Sequence, residues 1–109
     1  MAQQVKFDTL RSLAFGSISG AYAAVGSATT QTARLICITN TCDTDMFIST
    51  DGTNNMLIVP HGSFKLFDLN TNRLLLDQQF VLPINTQFYV KQVTAPGSGT
   101  VYIEIVYGA

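Results

Sequence analysis

Charged residues are scarce in this chain of 109 residues. Asp, Glu, Lys and Arg together make up 12% of it, against about 25% in an average soluble domain. The formal net charge is −1, so the chain lacks the basic surface that attracts a nucleic-acid backbone, and we expect no direct, sequence-specific nucleic-acid binding. The low charge favours a subunit whose faces are covered by neighbours, because such faces replace charge with Thr, Ser, Asn and Gln.

Long apolar runs are also missing. No window of the sequence approaches the roughly 18 consecutive apolar residues of a membrane-spanning helix, and the first residues lack the charged and apolar regions of a signal peptide. We therefore expect a protein that is made in the cytosol and does not enter a membrane. The length is typical of a single domain.

Side chains that bind metals or perform catalysis are few. Cys37 and Cys42 do not have the spacing of a zinc or redox motif, and His61 is the single histidine. Both cysteines are predicted to be reduced, with Cys37 in the core. No third group in the sequence pattern would orient His61 against a nucleophile, so it is predicted to lie exposed in a loop. The sequence thus predicts no catalytic residue, no cofactor and no enzyme.

One acidic cluster contains Asp43, Asp45 and, slightly further on, Asp51. Two carboxylates that are two residues apart in a loop are compatible with calcium ligation. Turn capping by side-chain oxygens, the ordinary role of Asp in loops, is the stronger interpretation. Because the spacing of an EF-hand is absent, we predict no metal site here.

What the sequence does contain is a succession of short apolar segments separated by turn-forming residues. Thr100 to Tyr107 alternates with the period of a half-buried β-strand, with Val101, Ile103 and Ile105 on one face. Ala33 to Asn40 is apolar at nearly every position, which is typical of a central strand covered on both faces. Further predicted strands are Ser12–Ser19, Ala21–Val25, Met46–Ser49, Met56–Val59, Phe64–Leu69, Phe80–Leu82 and Gln87–Val93, with a helical turn over Arg73–Gln79.

About seven to nine short strands in one small domain predict an all-β fold, either an antiparallel β-sandwich or a jelly-roll-like barrel. Turn residues from Asp51 onward predict a hairpin that joins Met46–Ser49 to Met56–Val59. We place the single domain at residues 12–109. Residues 1–11 are predicted to form either an edge strand or an N-terminal arm that docks on another subunit.

Six short motifs resemble small virion structural proteins of tailed bacteriophages. They cover strand ends and turns along most of the chain: Phe15–Tyr22, Ile38–Thr41, Ile48–Gly52, Val59–Phe64, Asp68–Asn72 and Ser98–Tyr102. The resemblance implies a non-enzymatic subunit that is made in the host cytoplasm and is present in many copies in the virion. Its implied partners are further copies of itself and neighbours such as the portal, adaptor, tail or major capsid protein.

Two stations in the virion are compatible with this resemblance. The first choice is a collar or connector protein at the head–tail junction, because mild acidity suits a lumen through which DNA slides without sticking. The alternative is a capsid decoration (cement) protein. A small carbohydrate- or protein-binding β-sandwich module is a further alternative, supported by outward-facing tyrosines at 22, 89 and 102, although the chain has no Trp to form a sugar platform.

Three loops are predicted to make the protein contacts, since loops at the ends of a sandwich are positioned by the sheets and are free to vary. The predicted contact residues are Asp51, Gly52, Thr53, Asn54 and Asn55 in the hairpin tip, Pro60, His61, Gly62 and Ser63 in the second loop, and Ala95, Pro96, Gly97 and Ser98 in the third.

Overall fold

The computed structural model describes residues 5–31, 33–68 and 83–108. The described residues form β-strands and one short 3-10 helix at Phe15–Ser17, which confirms the all-β class. The strands are β1 (Val5–Phe7), β2 (Arg11–Ala14), β3 (Ala23–Val25), β4 (Ala33–Asn40), β5 (Met46–Ser49), β6 (Leu57–Val59), β7 (Ser63–Asp68), β8 (Phe88–Gln92) and β9 (Thr100–Gly108). The predicted strand at Phe80–Leu82 and the predicted turn at Arg73–Gln79 lie outside the described residues.

The strands form two antiparallel sheets that pack as a sandwich. The five-stranded sheet has the order β1-β9-β4-β7, and β2 also pairs with β9. The four-stranded sheet has the order β3-β8-β5-β6. Among the described residues, fourteen buried apolar side chains from both sheets and their connections form one core between the sheets. They are Ile18, Val25, Ala33, Ile36, Ile38, Cys42, Met46, Ile48, Val59, Phe88, Val90, Val101, Ile103 and Ile105.

The alternating sequence of β9 determines which of its faces enters the core. Val101, Ile103 and Ile105 are buried, as predicted, whereas Glu104 between them is exposed. β9 pairs with β4 along one edge and with β1 and then β2 along the other. Burial of the alternate apolar side chains stabilises this register, since a shift of one residue would turn every one of them toward solvent.

The predicted hairpin is present, but the strand predicted at Ser12–Ser19 is too long. β5 pairs with β6, so that Met46 lies opposite Val59. β2 ends at Ala14, and a 3-10 turn follows in which the Ile18 amide donates to the Phe15 carbonyl at 3.1 Å. This turn leaves the sheet and places Ile18 in the core.

Cys42, and not Cys37 as predicted, is the core cysteine. Cys42 is buried in the core, whereas Cys37 is half-buried, and both thiols are free. The prediction of Cys37 as a core residue was wrong because Ile36 and Ile38 occupy the inward positions of β4. Side chains alternate along a strand, so Cys37 between them faces outward.

The first described residues form part of the five-stranded sheet. β1 pairs with the last residues of β9 and lies at the edge of the sheet. Arg11, the first residue of β2, is almost fully buried. Its guanidinium pairs with Asp8 at 3.1 Å and donates to the Ser27 carbonyl at 2.8 Å, so this segment is fastened to the β3–β4 connection. In the part of the chain that the structure describes, no helix is long and apolar enough to cross a membrane.

Gly99 fixes the entry of β9 and provides a test of the fold. Its φ is +100°, and a Cβ atom there would lie 2.4 Å from the Cys42 Cα and the Thr41 carbonyl oxygen. Gly99→Ala is therefore expected to lower the free energy of unfolding by more than about 3 kcal/mol, measured by urea denaturation.

Gly62→Ala is the matched control for this variant. Gly62 also has a positive φ, +68°, but nothing lies within 4 Å of the added Cβ. A loss of only about 1–2 kcal/mol is expected from backbone strain alone. Equal losses in the two variants would contradict the close approach of β9 to the β4–β5 connection.

Candidate functional site

Two of the three predicted contact loops lie together at one end of the sandwich. β5 begins there, and its first residue pairs with the last residues of β6 and β8. The loop at residues 60–63 and the loop at residues 95–98 follow these strand ends. The third predicted loop, the hairpin tip at residues 51–55, follows the opposite end of β5, so the structure does not combine all three into one surface.

The β4–β5 connection ties the two neighbouring loops together through its carboxylates. Asp45 Oδ1 accepts from the His61 amide at 2.9 Å and lies 2.9 Å from His61 Nδ1. These hydrogen bonds hold the pKa of Asp45 below its usual range. Asp43 Oδ1 accepts from the Gly97 amide at 2.9 Å. Both carboxylates therefore bond to amides of other loops, 16 and 54 residues away in sequence, which differs from the local turn capping that the sequence predicted.

A buried asparagine, Asn40, also holds the β4–β5 connection in place. Asn40 is 0% exposed, and its Nδ2 donates to the Thr44 carbonyl at 2.9 Å and the Val59 carbonyl at 3.0 Å. Its Oδ1 accepts from the Cys42 amide at 2.9 Å. All three contacts are to backbone groups, so the side chain satisfies polar atoms that a buried loop would otherwise leave unpaired.

The hairpin tip is closed by Asp51. Its carboxylate accepts from the Asn54 amide at 2.9 Å, the Ser49 hydroxyl at 2.7 Å and the Thr53 amide at 2.8 Å. These bonds, with one more from the Asn54 side chain, hold the pKa of Asp51 well below its usual range. The tip is therefore a fixed turn, and its outer residues Thr53 to Asn55 are exposed.

This tip contacts the outer face of the four-stranded sheet. The Tyr22 hydroxyl donates to Asn55 Oδ1 at 2.5 Å, and the ring of Tyr22 lies 4.8 Å from Lys91 Nζ. Lys91 also lies over the ring of Phe47 at 5.5 Å. Burial raises the pKa of Tyr22, and the charge of Asp51 raises it further. The polar and aromatic groups on this face are thus satisfied within the chain.

The outer face of the five-stranded sheet is very different. Strand register places Cys37 of β4 beside Glu104 of β9 on one side and Leu66 of β7 on the other. Several apolar side chains near this row are widely exposed: Phe7 (83%), Phe64 (63%), Leu66 (55%) and Leu10 (54%). Exposed apolar side chains that are contiguous on one face mark an interaction surface. We call this surface the outer apolar face.

A groove of about 390 Å³ crosses part of the outer apolar face. One side of the groove is formed by the end of β1 and the segment that follows β1. The other side is formed by the middle of β4 and β9. Its walls include Phe7, Leu10, Leu35, Cys37, Glu104 and Val106. Its volume lies within the range of about 300–1,000 Å³ that is typical of binding pockets. The groove is apolar apart from its acidic residues.

Sequence reasoning missed this face, although the signal was present. The apolar pattern of β4 predicted a central strand covered on both faces. β4 is central, between β9 and β7, but its outward residues Leu35 and Cys37 are only half-buried. No described residue covers them from above as the opposite sheet covers Ile36 and Ile38. The two-sided apolar pattern therefore predicted that β4 carries apolar residues on both faces, but it did not predict what lies over the outer one.

No group of three or more His, Cys, Asp or Glu side chains in the described ranges is placed to hold a metal ion. Asp45 is the hydrogen-bond partner of the His61 ring. Burial raises the pKa of the Cys42 thiol, and the Asp43 charge adds to this, so at neutral pH the thiol is protonated and weakly nucleophilic.

Comparison with known proteins gives one structural likeness. No protein-family model and no curated protein matches the sequence. A solved structure of the Dit protein (gp 19.1) of phage SPP1, described as a paradigm of the hub adsorption apparatus in phages that infect Gram-positive bacteria, aligns with a TM-score of 0.42 and 10% identity. The alignment covers 96% of this chain and 49% of that one, so this chain spans about half its length. A likeness at this level establishes neither a family nor a function.

The Asp51 turn predicts a pH-dependent stability difference. Asp51→Ala is expected to lower the urea midpoint at neutral pH because four hydrogen bonds to the carboxylate are lost. The folded-state pKa is below the unfolded-state value of about 3.9, so the stabilisation is complete above that value and is lost as the pH falls through the folded-state pKa. The gap in midpoint between the wild type and the variant should therefore narrow below about pH 4.

Thr53→Ala is the control, because it keeps the backbone amide that donates to Asp51. Its midpoint should stay near that of the wild type across the same pH range. The prediction would be contradicted if the difference in urea midpoint between the wild type and Asp51→Ala stayed constant as the pH fell below about 4. The charge of Asp51 would then not stabilise the turn.

Proposed function

We propose that this protein is a non-enzymatic structural subunit of a tailed-phage virion, located at the head–tail junction as a collar or connector protein. The observation that carries the proposal is the outer apolar face. It is a broad, exposed, apolar sheet surface on a chain with only 12% charged residues. A surface of this kind is stable in solution when neighbouring molecules cover it, as they do in an assembly.

The resemblance of the chain's strand-end motifs to phage virion proteins supplies the class of assembly. Four of these motifs lie at turns that the structure shows to be tightly built: Phe15–Tyr22 with the 3-10 helix, Ile38–Thr41 with Asn40, Ile48–Gly52 with the Asp51 turn, and Val59–Phe64 with the Asp45–His61 contact. The motifs are therefore explained as structural elements, and this supports a structural role.

The described side chains also support a role without catalysis. The imidazole of His61 is exposed and contacts Asp45, and no hydroxyl or thiol in the described ranges donates to it. A nucleophile and its base need to lie within hydrogen-bond distance of each other. The contact loops at residues 60–63 and 95–98 are instead held by backbone amides that donate to carboxylates, which suits a rigid contact surface.

The head–tail junction is favoured over the capsid surface by charge. The chain has a net charge of −1 and a pI near 5.5, so a ring of such subunits presents no cationic surface to DNA that moves through it. Binding to the DNA backbone would require clustered Lys and Arg. The protein is then expected to form a ring with copies of itself and to contact portal, adaptor or tail proteins.

The proposal is tested by electron microscopy of the purified protein and of virions labelled with a gold-conjugated antibody against it. Label at the head–tail junction, together with rings of the pure protein, is the expected result. Label over the head would assign a decoration protein and overturn the proposed station. Virions without label would overturn the virion role and favour a free binding module.

A further inference from the structure

The groove in the outer apolar face contains a carboxylate that has no partner among the described residues. Glu104 lies at the centre of β9, and no described residue forms an ion pair or hydrogen bond with its carboxylate. The other carboxylate of the groove, Asp8, is 3.1 Å from the Arg11 guanidinium. Glu104 is therefore the groove carboxylate without an ion-pair partner among the described residues, in walls that include the apolar residues Phe7, Leu35 and Val106.

An occupant of this groove has to satisfy two requirements at once. It must cover apolar side chains, of which Phe7 is 83% exposed. It must also place a cation at Glu104, because a carboxylate that loses its water without gaining a partner is strongly unfavourable. A purely apolar segment meets the first requirement only, and a purely basic one meets the second only.

A second copy of this chain in a face-to-face dimer does not meet the second requirement. In a two-fold contact the same patch lies on both sides of the interface. Glu104 is near the middle of the patch, so the two Glu104 carboxylates would approach each other across the axis. Like charges that face each other destabilise such a contact. The charge of the groove thus favours a different partner.

We propose that the groove binds a polypeptide segment of a neighbouring protein in which apolar residues flank one Lys or Arg. The apolar side chains pack on Phe7, Leu10 and Leu35, and the cation pairs with Glu104. This inference rests on the proposed function only in taking the neighbour to be a virion protein. The chemistry of the groove is independent of where in the virion the protein lies.

The test is a titration of the ¹⁵N-labelled full chain with two synthetic peptides, followed by NMR. One peptide is acetyl-Ser-Leu-Leu-Lys-Leu-Ser-amide, and the other has Glu in place of Lys. The lysine peptide is expected to bind about five-fold more tightly than the glutamate peptide. Its largest shifts are expected at the amides of Phe7, Cys37 and Val106.

Two variants check the role of Glu104. Glu104→Lys is expected to reverse the preference between the two peptides, whereas Glu104→Gln should bring the affinities within about two-fold of each other. Asp45→Asn removes one negative charge at the end of the sandwich, away from the groove, and should keep the wild-type preference. Amide spectra that are unchanged away from each substituted residue and its contacts would show that each variant is folded.

Three results would overturn the proposal. They are an absence of shifts in the groove with either peptide at millimolar concentration, an unchanged preference in Glu104→Lys, and shifts at the same amides when the unliganded protein alone is concentrated. The last would show that a second copy occupies the face. Peptide binding combined with unlabelled virions would support the groove and overturn only the virion role, so the two proposals fail separately.

Discussion

The pairing of β9 on both of its edges is the constraint on which the five-stranded sheet depends. β9 joins β4 on one side and the two short strands β1 and β2 on the other. Neither short strand has another neighbour in that sheet among the described residues, and strands this short have little stability by themselves. The alternation of Val101, Ile103 and Ile105 fixes the register of β9, and that register then fixes which residues of β4 face the core.

Polar side chains hold the connections to this framework at one end. Asn40 satisfies three backbone groups from inside the sandwich, and Asp43 and Asp45 accept from the amides of the two neighbouring loops. The contacts of Asp43 and Asp45 join residues that are distant in sequence. The contacts of Asn40 give a buried polar side chain its hydrogen-bond partners. The loops at residues 60–63 and 95–98 are thereby fixed relative to each other, so an end surface with a definite shape exists before any partner binds.

The two outer faces of the sandwich differ because their charges are placed differently. On the four-stranded sheet, Lys91 lies between the rings of Tyr22 and Phe47, and the hairpin tip contacts the same face. On the five-stranded sheet, Glu104 lies among apolar residues without a described partner. On the first face, the charge of Lys91 is therefore stabilised within the chain. A partner that covered the second face would have to neutralise the charge of Glu104 as well as cover the apolar area.

Much of the architecture was predictable from local sequence. Alternation in β9, the hairpin between β5 and β6, and the central place of β4 all follow from periodicity and turn chemistry, and the structure confirms them. The end of β2 at Ala14 was not predictable, because its alternation continues into residues that the 3-10 turn removes from the sheet. Periodicity depends on residues that are close in sequence. It therefore predicts that a strand is present, but not the residue at which the tertiary structure ends that strand.

The sequence by itself determined that this protein is an all-β domain with little charge, a turn-capping Asp51 and no pattern of catalytic residues. Only the tertiary structure decided that Cys42 rather than Cys37 is in the core, that two of three predicted contact loops share one end, and that Glu104 lies beside Cys37 and Leu66 on an exposed apolar face. The reason is physical. The alternation of side chains along one strand is determined by the local sequence. The neighbours of a side chain on adjacent strands depend on pairing between distant segments such as β4 and β9, and the register of the whole sheet determines that pairing.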